Sequence, residues 1–173
     1  VNLLEADPRD EISQPVREPK ILAIANQKGG VGKTTTAVNL ATALAAARKQ
    51  VLIIDLDPQG NASTGLGIDR AAPGKNTYDL LVNDAAFEDA IRPTMIPGLS
   101  RIPSCVDLAA AELELISIPK REYQLAKALR PHCSDFDFVL IDCPPALGLL
   151  TLNALCLADA VLVPLQCDYY ALE

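Results

Sequence analysis

The chain has 173 residues, half of them hydrophobic, which suffices for one α/β domain with a buried core and is short for two. Lys plus Arg number 15 against 22 Asp plus Glu, a net charge of -7, and aromatic content is 4% with no Trp. An acidic overall field argues against gripping nucleic acid by bulk charge, and so few aromatics argue against a base-stacking platform.

Residues 1–19 are rich in acids and Pro and read as a loose tail, with one domain over 20–173. They do not show the basic-then-apolar order of a secretory signal. Residues 21–25, Ile-Leu-Ala-Ile-Ala, form an apolar run of strand length. A Gly cluster follows, and then an Ala- and Leu-rich stretch over 34–47 that predicts a helix, closed by Arg48 and Lys49, whose charges suit its dipole. Residues 51–55, Val-Leu-Ile-Ile-Asp, are a second continuous apolar strand. Strands apolar on both faces imply a parallel sheet covered by helices, and strand–helix–strand of these lengths is one βαβ unit.

Residues 57–74 contain Gly60, Gly65, Gly67 and Gly74 and read mostly as loop. Helices are expected over 77–91, 109–116, 122–129 and 147–157, and strands over 99–102, 138–142 and 161–165. The longest nearly apolar run, residues 146–158, includes Thr151 and Asn153 and is too short to cross a bilayer. Five cysteines, odd in number and without C-x-x-C spacing, fit a reduced cytosolic protein. Cys143 is expected to pack in the core, and His132 to lie on a surface loop.

The chemistry concentrates in residues 27–35, Gln-Lys-Gly-Gly-Val-Gly-Lys-Thr-Thr, between a buried strand and a helix. Glycines let successive backbone N–H groups curl around phosphate oxygens, and the following helix start adds partial positive charge. Lys33 would bring a full charge to the outer phosphates, and the Thr34 hydroxyl would ligate Mg²⁺. Against G-x-x-x-x-G-K-[ST], the first Gly is replaced by Gln27 and a second lysine, Lys28, is gained. A lysine there points away from its own phosphates and needs another task. Asp57 and Asp142 follow or end apolar strands, where a carboxylate can face a phosphate site. Asp55 is read either as a turn former or as support for the Asp57 loop.

Residues 28–35 resemble the deviant Walker A motif of the ParA/MinD superfamily. The similarity extends to Asp-Leu-Asp-Pro-Gln-Gly-Asn-Ala at 55–62, Leu-Ile-Asp-Cys-Pro-Pro at 140–145, Leu-Leu-Thr-Leu-Asn-Ala-Leu at 149–155 and the stretch 163–173. Together these resemble the chromosomal ParA (Soj-type) DNA-partitioning ATPases. The resemblance implies a P-loop NTPase with a mostly parallel sheet, helices on both faces, and further chain after Glu173 that would complete it and carry the basic DNA-binding residues. It implies nucleotide contacts from Lys28, Gly29, Gly30, Val31, Gly32, Lys33, Thr34 and Thr35, with Mg²⁺ held by Thr34 and Asp142. It implies catalysis by Lys33, by Lys28 reaching a partner's nucleotide in trans, and by Asp57 orienting the attacking water. ATP and Mg²⁺, an ATP-dependent homodimer, a ParB-like partner, non-specific DNA and a cytoplasmic, nucleoid-associated protein follow from it. A MinD-like positioning ATPase on membranes is the alternative, and a biosynthetic ATP-dependent enzyme of the superfamily is a third reading.

Overall fold

A computed structural model describes residues 18–67 and 74–167. Most of the acidic tail, and residues 168–173 of the stretch 163–173, lie outside them. Three strands carry the core: β1 (Lys20–Ile24), β2 (Val51–Asp55) and β5 (Phe138–Asp142). Between and beyond them run β3 (Arg92–Pro93), β4 (Leu99–Ile102) and β6 (Ala160–Leu162). The sheet order is β3-β4-β2-β5-β1-β6, parallel throughout except for the antiparallel β3–β4 pair.

Alternation along each strand divides the core in two. Ile21 and Ala23 of β1, Leu52 and Ile54 of β2, and Val139 and Ile141 of β5 face one layer. Their neighbours Ile24, Val51, Ile53 and Leu140 face the other. The second layer is covered by α1 (Lys33–Ala46) and the short α2 (Asn61–Gly65). Ala37, Ala41 and Ala45, four apart, form the buried stripe of α1. Small side chains on that stripe let the helix lie close to the sheet. The first layer is covered by α3 (Thr77–Val82), α4 (Phe87–Ala90), α5 (Leu108–Leu115), α6 (Gln124–Leu129) and α7 (Leu149–Leu157). Helices therefore cover both faces, as the continuous apolar strands require.

The expected strands over 21–25, 51–55, 99–102 and 138–142 are present within a residue. Several expectations are corrected. The region 57–74, read mostly as loop, includes the five-residue α2, whose Ser63 N–H donates to Asp55 Oδ2 at 2.8 Å. The helix expected over 77–91 is two helices, α3 and α4, broken where Asp84 takes the left-handed region at φ 51. The helix expected from 122 begins with a 3-10 turn at Arg121–Tyr123, and a second 3-10 segment, Arg130–Asp135, follows α6. The helix expected from 147 begins at Leu149, after extended Gly148. The strand expected over 161–165 pairs only over Ala160–Leu162.

His132 is not a free surface-loop residue. Its ring stacks on Phe87 with centroids 4.3 Å apart and an interplanar angle of 6°, and its Nδ1 lies 3.5 Å from a Glu88 carboxylate oxygen. Cys143 is fully buried, as expected, and burial pushes its thiol up to about 12. Among the described residues no helix is long and apolar enough to cross a membrane.

Candidate phosphate-binding site

The carboxyl ends of β1, β2 and β5 meet at one rim of the sheet. Register aligns Ile24 with Asp142 and Asp55 with Asp142 across adjacent strands. β1 connects through α1 to β2, with β5 inserted between, so the rim is a switch point of the topology, where open α/β sheets bind ligands.

The Gly loop leaves β1 at this rim. Gly30 (φ 78) and Gly32 (φ 88) both take the left-handed backbone that side chains resist, and Gly32 is the N-cap of α1. No side chain caps α1, so its first amides are left for a ligand. The loop opens on a cleft of about 650 Å³ lined by Gly29, Gly30, Gly32, Lys33, Thr34 and Thr35 on one side and by Asp57, Gln59, Asn61 and Pro145 among the others. Lys33 is buried and its Nζ donates to the Lys28 carbonyl at 3.2 Å, folded back under its own loop.

The carboxylates behind the cleft differ in their partners. Asp55 Oδ1 accepts from Asp57 N–H at 3.1 Å, and Oδ2 accepts from Ser63 N–H at 2.8 Å and Ser63 Oγ–H at 2.7 Å. Burial still pushes its carboxyl up to about 6, against those hydrogen bonds. This decides the open reading of Asp55: it braces the Asp57 loop and α2. Asp57 is itself buried, its Oδ1 accepting Gln59 N–H at 2.9 Å. Asp142 is fully buried, and neither of its oxygens has a hydrogen-bond partner. Burial pushes it up to about 7, Thr34 and Lys33 offset part of the rise, and the neighbouring Asp55 and Asp57 charges add to it.

Two sequence-derived nucleotide contacts stand apart. Val31 is buried and can offer only its backbone. Lys28 does not line the phosphate cleft. It lines a separate groove of about 460 Å³ with Asn26, Leu147, Leu155, Val161 and Val163. The structure also adds residues that the sequence reading left without a role. Asn26 Oδ1 accepts Lys28 N–H at 2.9 Å and its Nδ2 donates to the Pro164 carbonyl at 2.9 Å, pinning the start of the loop to the segment that follows β6. Gln166 Nε2 donates to the Gly30 carbonyl at 3.1 Å. A polar residue directly before the motif was the available signal for Asn26; Gln166 falls in the stretch 163–173 that carries the resemblance, with no role attached to it there.

The family model for the AAA domain matches residues 19–173. Chromosome partitioning protein ParA of Myxococcus xanthus is 53% identical over 154 residues, covering 89% of this chain and 54% of that protein. Sporulation initiation inhibitor protein Soj of Bacillus subtilis is also 53% identical, over 89% of this chain and 61% of its own length. The chain belongs to the AAA-domain family, in its ParA/Soj type. A structural relative of this ParA/Soj-type chain is the crystal structure of cobyrinic acid a,c-diamide synthase from Mycobacterium smegmatis with bound ATP analog and magnesium. It has a TM-score of 0.83 and 45% identity, over 87% of this chain and 61% of that one. The ParA/Soj-type chain thus spans between about half and three fifths of the length of these relatives.

Proposed function

We propose that the whole protein hydrolyses ATP with Mg²⁺ and uses the nucleotide to switch a homodimer and its hold on non-specific DNA in chromosome or plasmid partitioning. The observation that carries this is the cleft, where a left-handed glycine loop, an uncapped helix start, Lys33 and Asp57 converge. The ParA and Soj relatives support the partitioning role, and the relative named for its ATP analog and magnesium supports the ligands.

In this reading the loop amides and the first turn of α1 receive the phosphate oxygens. Lys33 exchanges the Lys28 carbonyl for phosphate. Asp57, held at the cleft wall, orients water for in-line attack. Thr34 and Asp142 suit a hard divalent cation: both offer oxygen, and the buried carboxylate has no other partner. Mg²⁺ bound there would neutralise charge on the phosphates. Lys28, turned out of its own cleft, serves a partner's nucleotide in trans. Intrinsic turnover is slow, and a ParB-like partner stimulates it. The protein works in the cytoplasm on the nucleoid.

The test uses the full-length protein. Asp57→Ala should keep ATP-dependent dimerisation, measured by analytical ultracentrifugation, while losing hydrolysis. Lys28→Ala should impair both. Normal turnover by Asp57→Ala, or an unaffected Lys28→Ala, refutes the assignment. The M. smegmatis relative favours a biosynthetic reading, at 45% identity against 53% for the partitioning relatives. ATP-dependent amidation of cobyrinic acid, with no response of turnover to DNA, would favour it.

A further inference from the structure

Four hydrogen bonds close a buried ring beneath Asp57. Asp57 N–H donates to Asp55 Oδ1 at 3.1 Å. The Ser104 hydroxyl donates to the Asp57 carbonyl at 2.6 Å. Ser104 N–H donates to Ser63 Oγ at 3.2 Å, and the Ser63 hydroxyl donates to Asp55 Oδ2 at 2.7 Å. Asp55, Asp57, Ser63 and Ser104 are all buried. The Ser104 hydroxyl also reaches the Cys105 carbonyl at 3.5 Å, and the much shorter contact to Asp57 is its principal one. The ring joins the end of β2, helix α2 and the loop after β4.

We propose that Ser63 and Ser104 are positioning residues for ATP hydrolysis, holding Asp57 through this ring in the orientation that aligns the attacking water. The proposal rests on the reading of Asp57 given above. The Asp57 side chain departs from a backbone gripped on both its N–H and its C=O, so its χ1 origin is fixed from two sides. Its carbonyl is held also by Gly60 N–H at 2.8 Å, and its carboxylate by Gln59 N–H, which leaves the Ser104 hydroxyl as the contact from another part of the fold. Neither serine lines the phosphate cleft, so neither touches nucleotide. Loss of the ring therefore acts on the geometry of attack and leaves phosphate binding alone. A displacement of about 1 Å at a reacting group can cost on the order of a hundredfold in rate, and partial loosening correspondingly less.

The experiment measures ATP turnover, ATP affinity, ATP-dependent dimerisation and thermal melting of the full-length protein and its variants, with Mg²⁺. Ser104→Ala should lower kcat by about tenfold while ATP affinity and dimerisation stay within about twofold. Ser104→Thr, which restores the hydroxyl, should recover most of the rate. Ser63→Ala should reproduce the loss. Unchanged kcat in Ser104→Ala overturns the proposal. So does a fall of kcat, affinity and melting temperature together, since that is the mark of general destabilisation. If Ser104→Ala does not fold, Ser104→Cys takes its place with the same expectation, its thiol being a weaker donor. If the unaltered protein does not hydrolyse ATP, the reading of Asp57 fails independently of the serines, and the positioning role fails with it.

Discussion

Asp142 ends β5 with both oxygens buried and unpartnered. An uncompensated buried carboxylate resists ionisation, and its folded value of about 7 stands above the 3.8 of an unperturbed Asp. Asp55, at about 6, shifts the same way. The folded state therefore binds more protons than the unfolded chain between about pH 4 and 7, so these groups make stability fall as pH rises through that window. Without nucleotide and Mg²⁺, Asp142→Asn should melt above the unaltered protein at pH 8 and lose that advantage by pH 4; differential scanning calorimetry across pH checks this. An advantage independent of pH would show that charge is not what the substitution removes. Lys33 differs in kind, because its buried ammonium has the Lys28 carbonyl to bond and a phosphate to move to. Lys33→Ala should weaken ATP binding at least tenfold, on the order of a charge-assisted hydrogen bond, read by a fluorescent ATP analogue.

The elements follow from local chemistry where that chemistry is repetitive. The Ala stripe of α1 and the five-residue apolar strands β2 and β5 are visible in composition alone. The short α3 is held by its start: Asn76 Oδ1 accepts from Tyr78 and Asp79 N–H, while Asp79 Oδ2 accepts Asn76 N–H at 3.2 Å, a reciprocal capping box. Asn76→Ala should cost about 1 kcal/mol in urea unfolding of the full-length protein. The single helix expected over 77–91 is divided into α3 and α4. The interruption at Asp84, with φ 51, lies in a backbone choice that periodicity does not register. α2 escaped notice for the opposite reason. Its five residues carry no apolar stripe, and the Asp55 carboxylate that receives its Ser63 N–H comes from the preceding strand.

At the scale of the molecule, the two edges of the sheet differ. β3 is two residues long and contains Pro93, which blunts that edge against further pairing. Among the described residues β6 pairs with β1, and its Val161 (48% exposed), the following Val163 and Leu165, and Leu147 present apolar side chains to solvent. In the 173-residue chain expressed by itself, this apolar edge should drive self-association. Val161→Lys with Val163→Lys should reduce it in light scattering while leaving the melting temperature nearly unchanged. Association unaltered by both lysines would place the contact elsewhere.

The sequence by itself determined the phosphate loop, the buried strands and the candidates Lys33, Thr34, Asp57 and Asp142. Glycines at left-handed positions, a helix start and a run of strand formers are demands that neighbouring residues place on one another. The tertiary structure decided what those candidates face. It buried Asp142 without a partner, turned Lys28 into a separate groove, and stacked His132 on Phe87. It also closed the ring under Asp57 with hydrogen bonds between residues 41 and 47 positions apart. Such contacts depend on strand order and register, which set distances between residues remote in the chain and leave no period in the sequence to read.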